Sequence, residues 1–525
     1  MGQAIQPRHL REGHLVSTVK QWGRSSRLLS AAVATALVPL VVAGPVGFTS
    51  GENVRPGGGW SGLWLSADST ASSGTSLQDV RTIVGADVGA AANLTGAGVG
   101  VALIDTGVAG VPGVPAAQIV NGPDLSFESQ SASLRYLDTY GHGTHMAGII
   151  VGNDTATGAK GLAPKAKLTS LKLGTANGAV DVTQVIAAID WVVAHRNDDP
   201  ANRIRVLNLS YGSGGNPNFW SDPLSFAVQR AWKAGIVVVA AAGNDGNSSV
   251  RLANPASDLY TIGVAATSTK GTLSTADDEL STFSNLATSE KMPDLLAPGQ
   301  SIASLRVPGS NIDNSYPGAR VGATLFRGSG TSQAAAVTSA AVALLLQAKP
   351  TLTPDQVKDV LRQGTYMRIG IAAERGIREI NVNAALGLTP TTLAQTFMLS
   401  DASGSLDSAR GGSRVVTNGV ALSGQNTIYG PFDTAAWSKA SADGTSWRGG
   451  SWMGNRIAGD GWTGSSFASR TWADASWSGA PWGGSATSWV DPSWSGRSWS
   501  GRSWSAGTWT GRSWSSEDWA TASWN

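Results

Sequence analysis

A chain of 525 residues has room for one large domain of roughly 250–300 residues with extensions, or for two to three ordinary domains. Its charges nearly cancel, 38 Lys and Arg against 36 Asp and Glu for a net +2, which argues against a global field that gathers nucleic acid. The lack of cysteine excludes disulfides, thiolate nucleophiles and thiolate metal sites, while 21 Trp beside 9 Phe and 7 Tyr, with 66 Gly, point to one strongly biased segment.

At the N-terminus, Arg8, Arg11, Lys20, Arg24 and Arg27 precede the apolar run "LLSAAVATALVPLVVAGPVGF" at 28–48. A basic region followed by such a run reads as an export signal, with Val41 and Ala43 as the small residues for cleavage after Ala43. The rival is an uncleaved membrane anchor, since the run approaches the ~20 residues that span a bilayer; Pro39 and Gly44-Pro45 weaken that reading. Either way the bulk of the chain is expected outside the cytoplasm, secreted or envelope-associated. Residues 49–84 are expected to be a linker or short pro-region.

From 85 to 388 the texture is that of an α/β protein. "VGVALID" (99–105), "IRVLNLS" (204–210) and "IVVVAAAGN" (236–244) predict strands; "VTQVIAAIDWVVAHR" (182–196) and "DPLSFAVQRAWKAG" (222–235) predict helices. Continuous apolar strands alternating with helices imply a parallel sheet covered on both faces. In such sheets, sites form beyond the carboxyl ends of the strands, where Asp105, Ser210 and Asn244 fall. "SQAAAVTSAAVALLLQA" (332–348) is apolar or small on every side, which predicts a buried central helix. A membrane span is the alternative, but the uninterrupted apolar part is too short.

Ser332 therefore stands where a central helix begins, as a nucleophile or merely as a cap. A nucleophilic serine needs a base, and the base an acceptor that holds its tautomer. Of five histidines, His9 and His14 lie in the leader and His195 on a surface-patterned helix, leaving His142 and His145 in "YGHGTHMAGII". The candidates are Asp105, His142 and Ser332, in an order known for catalytic triads. His142 and His145 also form an HxxH pair, but no further ligand cluster with zinc-like spacing accompanies it, so no metal site is assigned.

The segments "VALIDTGV", "GHGTHMAGI", "AAAGNDG" and "GSGTSQAAA" resemble the signature blocks of the subtilisin-like serine peptidases, in the right order, across roughly residues 85 to 388. The resemblance implies an α/β fold with a parallel sheet and helices on both faces, and hydrolysis of extended polypeptides through an acyl-enzyme. It makes Ser332 the nucleophile, His142 the base and Asp105 its orienting partner, and it makes the amide of Asn244 an oxyanion donor. By the same resemblance Ser210, Tyr211 and Gly212 are the edge that pairs with substrate backbone, and Ala242 and Gly243 line the pocket for the residue before the cut, with Asp245 near its rim. No cofactor is required, and a structural Ca²⁺, common in the family, cannot be assigned from these residues. The chain departs from the family pattern at Gln333 and Ala336, where Met and Pro are usual, and in its short region ahead of the peptidase domain. The rival from another class is a catalytically inactive subtilase scaffold that binds a surface.

Residues 389–430 read as a connector, with a strand pair around "RVVTNGVALSG". From 431 to 525 tryptophan recurs on a five-residue grid: Trp437, Trp447, Trp452, Trp462, Trp472, Trp477 and Trp482, then, after a two-residue shift, Trp489 through Trp524. Ile457 and Phe467 fill two remaining slots. A period of five fits neither a helix face nor a strand face. It predicts a β-solenoid with one large residue inward per pentad; the rival is a disordered, sticky low-complexity tail. Exposed indoles would suit stacking on sugars, hence cell-wall or surface attachment. The region carries seven Lys and Arg against seven Asp and Glu, a balance that argues against a nucleic-acid groove.

Overall fold

In a computed structural model, residues 74–456 are described, apart from short stretches at 131–133, 216–217, 250, 288–290, 367–375, 412–413, 418–419, 429 and 449. The segment expected to be an export leader, most of the expected linker and the Trp grid from Ile457 onward lie outside the described residues.

The apolar runs form the strands their composition predicts. The central sheet holds β1 (Gly100–Asp105), β2 (Ile119–Asn121), β3 (Lys167–Lys172), β4 (Ile204–Leu209), β5 (Val237–Ala241), β6 (Ile262–Ser268), β7 (Leu295–Pro298) and β8 (Glu379–Ile380). Their spatial order is β8-β7-β6-β5-β4-β1-β3-β2, and each neighbouring pair runs parallel. Thr365–Tyr366 adds an antiparallel edge beside β8. All residues of β1 and β5 are buried, as strands covered on both faces must be. Chain order reverses direction at β1, which pairs with β3 on one side and β4 on the other. Ligand crevices of open α/β sheets form at such a reversal.

Helices α2 (His142–Val151), α3 (Val182–His195), α4 (Pro223–Lys233) and α5 (Thr331–Ala348) pack on the sheet. Every residue of α5 from Thr331 to Leu346 is buried. It is the one helix among the described residues long and apolar enough to cross a membrane. Its burial against β4, β5, β6 and β7 accounts for that composition.

The expected boundaries differ from what is observed at both ends. Residues expected to be linker form α1 (Leu77–Ile83), capped by a reciprocal Ser76–Asp79 box, with Leu77 and Val80 in the core. At the other end, residues 400–456 join the same core through Leu406, Ala409, Trp437, Trp447 and Trp452. The strand pair expected near residue 416 is present, Val416–Thr417 against Val420–Ala421.

The first slots of the Trp grid point inward as expected, but not in a solenoid coil. Trp437 sits in α8 (Thr434–Ala442; α6 is Pro354–Gln363 and α7 is Leu406–Arg410). Trp447 and Trp452 face each other across an antiparallel hairpin. The reason is polar: Asp190 of α3 is buried with no cation bonded to it among the described residues, and its Oδ2 accepts from Trp437 Nε1 (2.8 Å) and Trp452 Nε1 (2.9 Å). Its Oδ1 accepts from Ser441 Oγ (2.7 Å), and Trp447 Nε1 donates to the Ala187 carbonyl (2.8 Å). Burial raises the carboxyl above its ordinary range, and these donors hold it down against that push. Three indoles of the grid are thus internal and closed to any sugar.

Candidate active site

Asp105 ends β1, and His142 opens α2. Gly143 lets the two meet: a Cβ there would stand 2.1 Å from the Gly107 carbonyl oxygen, so any larger residue would push the helix start away. The result is a hydrogen bond of 2.7 Å between His142 Nδ1 and Asp105 Oδ1, with both side chains 1% exposed. Asp105 Oδ1 also accepts from the Thr106 backbone N–H at 2.8 Å. Burial pushes the Asp105 carboxyl above its usual range, while the neighbouring imidazole pulls it back by charge and hydrogen bond.

A residue that the sequence reading passed over holds this pair in register. Asp138 accepts from Thr106 Oγ1, from the Gly141 N–H and from the Thr144 N–H, each at 2.7 Å. It thereby links the end of β1 to the first turn of α2, whose N-cap, Gly141, brings no side chain of its own. A carboxylate near the start of a helix is also favoured by the helix dipole. Its place four residues before His142 was the available signal.

Ser332 is the second residue of α5, behind the N-cap Gly330, so its hydroxyl is not spent as a cap. Ser332 Oγ donates to the Ser210 carbonyl at 3.2 Å, and Ser210 Oγ donates to the Ser332 carbonyl at 3.0 Å. This double link joins the end of β4 to the start of α5, and Asn208 Nδ2 supports it by donating to Ser210 Oγ (2.8 Å). Asp105 and His142 are therefore joined directly. Ser332 is brought to the same carboxyl edge, on a helix packed against α2, with its hydroxyl turned to Ser210.

Asn244 follows β5, and its Oδ1 accepts from the Thr331 N–H (2.9 Å) and Thr331 Oγ1 (3.1 Å). With the carbonyl end of the amide so engaged, Nδ2 lies 3.5 Å from where a Cβ on Gly330 would stand. Thr331 Oγ1 also accepts from the Gly243 N–H (3.1 Å). Asn285 fastens the same loop: its N–H donates to the Gly243 carbonyl (3.0 Å) and its Oδ1 accepts from the Asp245 N–H (2.6 Å). Its Nδ2 donates to Asp245 Oδ2 (3.1 Å), so the Asp245 carboxylate is already held by an amide. Ala242 is buried, its N–H bonded to the Val264 carbonyl. Tyr211 is buried as well, and Gly212 lies against Ala253. Thr331 and Asn285 were also missed, because their partners lie 40 to 88 residues away along the chain.

His145 stands three residues after His142 on α2. It is buried, with Nε2 3.0 Å from the Phe326 carbonyl and 3.2 Å from that of Ile302, which fixes the proton on that nitrogen. Burial, and then the charge on His142, lowers it to about 3. Among the described residues no group of three or more His, Cys, Asp or Glu is placed to hold a metal ion. Gln333 is fully buried, and neither atom of its amide has a hydrogen-bond partner among the described residues.

The fold and this edge define a chain of the subtilisin type, and the comparisons agree. The model of the subtilase family matches residues 96–397. Serine protease AprX of Bacillus subtilis is 36% identical over 279 residues, 52% of this chain and 62% of that protein. The minor extracellular protease Epr of the same organism is 31% identical over 279 residues, covering 52% of this chain and 36% of Epr. Subtilisin E is 32% identical over 302 residues, covering 55% and 66%. This chain belongs to the subtilase family, while spanning under two thirds of the length of these relatives.

Proposed function

We propose that the protein is a serine endopeptidase that cuts extended polypeptides through an acyl-enzyme. The buried 2.7 Å bond between His142 Nδ1 and Asp105 Oδ1 carries the reading, because it leaves the opposite ring nitrogen as the one that can take a proton. Ser332 Oγ turns from Ser210, passes its proton to His142 Nε2 and attacks the scissile carbonyl carbon. Asp105 stabilises the imidazolium without taking the proton. The oxyanion receives hydrogen bonds from Asn244 Nδ2 and the Ser332 N–H, in a first helical turn whose N–H groups have no intrahelical acceptor. Collapse breaks the C–N bond, His142 returns the proton to the leaving amine, and water repeats the sequence on the acyl ester. Ser210, Tyr211 and Gly212 offer backbone to the substrate strand, and Ala242 and Gly243 border the pocket for the residue before the cut. No cofactor enters these steps.

The basic leader followed by an apolar run supports export, as does the word extracellular in the name of Epr. Fluorophosphonate labelling of the leader-free protein, with Ser332→Ala as control and casein cleavage in parallel, tests the reading. Labelling lost in the variant, together with casein cleavage by the wild type, is expected. A folded wild type that neither labels nor cuts would overturn it.

A further inference from the structure

We infer that residues 400–426, outside the family match, clamp the edge that receives the peptide and so set how strongly the residues ahead of the cut are bound. This rests on the endopeptidase reading above. After β4 the chain runs through "SYGSGG" (210–215), where the one strand-like pairing among the described residues is a bridge between Ser213 and Asn254. A strand that binds substrate through backbone N–H and C=O groups must keep them aligned before binding, or lose affinity in ordering them.

The extension supplies that order from the outer side. Ser213, buried, donates its hydroxyl to the Ala409 carbonyl at 2.5 Å. The backbones touch without side chains between them: a Cβ on Gly215 would lie 2.4 Å from the Ala409 oxygen, and one on Gly411 would lie 2.4 Å from that of Gly214. Farther along, Gly404 N–H bonds the Ser221 carbonyl (2.7 Å), Asp401 N–H that of Trp220 (2.9 Å), and Ser400 Oγ that of Asp222 (2.8 Å). The edge and the loop leaving it are thus backed at both ends by one segment.

That segment is itself anchored by Arg410, which is 0% exposed. Its Nε donates to Asp181 Oδ1 (2.7 Å) and its Nη2 to Asp181 Oδ2 (3.3 Å) and the Asn426 carbonyl (2.6 Å). Its Nη1 donates to Asp407 Oδ1 (3.1 Å) and the Gly424 carbonyl (2.8 Å). All five guanidinium donors are used, the condition under which a buried ion pair is tolerated. Asp181 is at the same time the N-cap of α3. The clamp therefore bears on an element of the peptidase body, not on a mobile loop.

The test uses two substrates with the same residue before the cut, a single-residue ester and a tetrapeptide anilide. Ser213→Ala and Arg410→Met are compared with wild type, with Trp437→Phe as a control that loosens the extension at Asp190, away from the edge. Loss of one or two aligned backbone bonds should raise KM for the tetrapeptide about fivefold or more. Ester turnover and the fluorophosphonate-titrated active fraction should stay at the wild-type level. Trp437→Phe should lower the unfolding midpoint without changing the ratio of the two substrates. An equal loss on ester and peptide, a matching shift in Trp437→Phe, or an unchanged ratio in fully titratable Ser213→Ala would each overturn the clamp. If Arg410→Met does not fold, Ser213→Ala decides. A wild type that neither labels nor turns over either substrate would sink the endopeptidase reading and this inference with it.

Discussion

Replacing Asp190 tests whether the first three grid tryptophans are structural. Two indole N–H groups and the hydroxyls of Ser441 and Ser446 converge on this carboxylate. Asp190→Leu keeps approximately the volume and removes every acceptor. Each of the two indole donors then stays buried without a partner, at about 1–3 kcal/mol apiece, or roughly 2–6 kcal/mol together. Removing a carboxylate whose burial is itself unfavourable offsets part of this, leaving a loss of about 3 kcal/mol. Asp190→Asn separates charge from acceptor count: its carbonyl oxygen can still receive both indoles, while its NH₂ turns to Ser441 Oγ, a hydroxyl that accepts as readily as it donates. That variant should stay within about 1 kcal/mol of wild type. Urea unfolding measures both, and trypsin followed by mass analysis shows whether cleavage in residues 400–456 becomes faster. A Leu variant as stable as wild type, or an Asn variant as damaged as the Leu one, would refute the assignment of these indoles to the core.

Two further outcomes follow from the site. Thr331→Val removes the hydroxyl that bonds both the Gly243 N–H and Asn244 Oδ1 but keeps the backbone bond to Asn244. It should lower kcat about tenfold, less than the 10²–10³-fold measured in a subtilisin for losing the oxyanion amide itself, with KM little changed; Thr331→Ser should restore it, and equal kcat for Val and wild type would contradict the positioning role. His145 makes an acid-sensitive contribution to stability. Its folded value of about 3 lies below the ordinary 6.5, so the contribution is complete above pH 6.5 and is lost as pH falls toward 3. Between pH 7 and 4 the loss is about 3 kcal/mol. The stability gap between wild type and His145→Gln should shrink by that amount over the range, and a gap independent of pH would show that the ring is not buried neutral.

What could be read from sequence divides along the distance over which each residue acts. Strands such as Val237–Ala241 and the helix Thr331–Ala348 declare themselves through local composition, since burial on all sides selects apolar residues at every position. Asp105, His142 and Ser332 stand out as candidates because so few exist, but the contact between Asp105 and His142 depends on Gly143 and on the three bonds of Asp138, whose only local sign is its place four residues before His142. The helix at Leu77–Ile83 had a local signal, the Ser76–Asp79 box, submerged in a Gly- and Ser-rich setting that reads as linker. Asp190 is the opposite case. A carboxylate within "VIAAIDWVV" demands a buried partner, yet the partners lie 247 and 262 residues on, in a repeat whose period suggested a different geometry. The period reports only that a large residue is wanted at every fifth place. It leaves open which surface receives it, and for Trp437 and Trp452 that surface is the peptidase body itself. A tryptophan repeat whose first members are buried in the core of the subtilase-type domain cannot be read as a separate binding module from its first member onward, and a boundary drawn where the repeat starts, at residue 431, would cut Trp437, Trp447 and Trp452 from the core they complete.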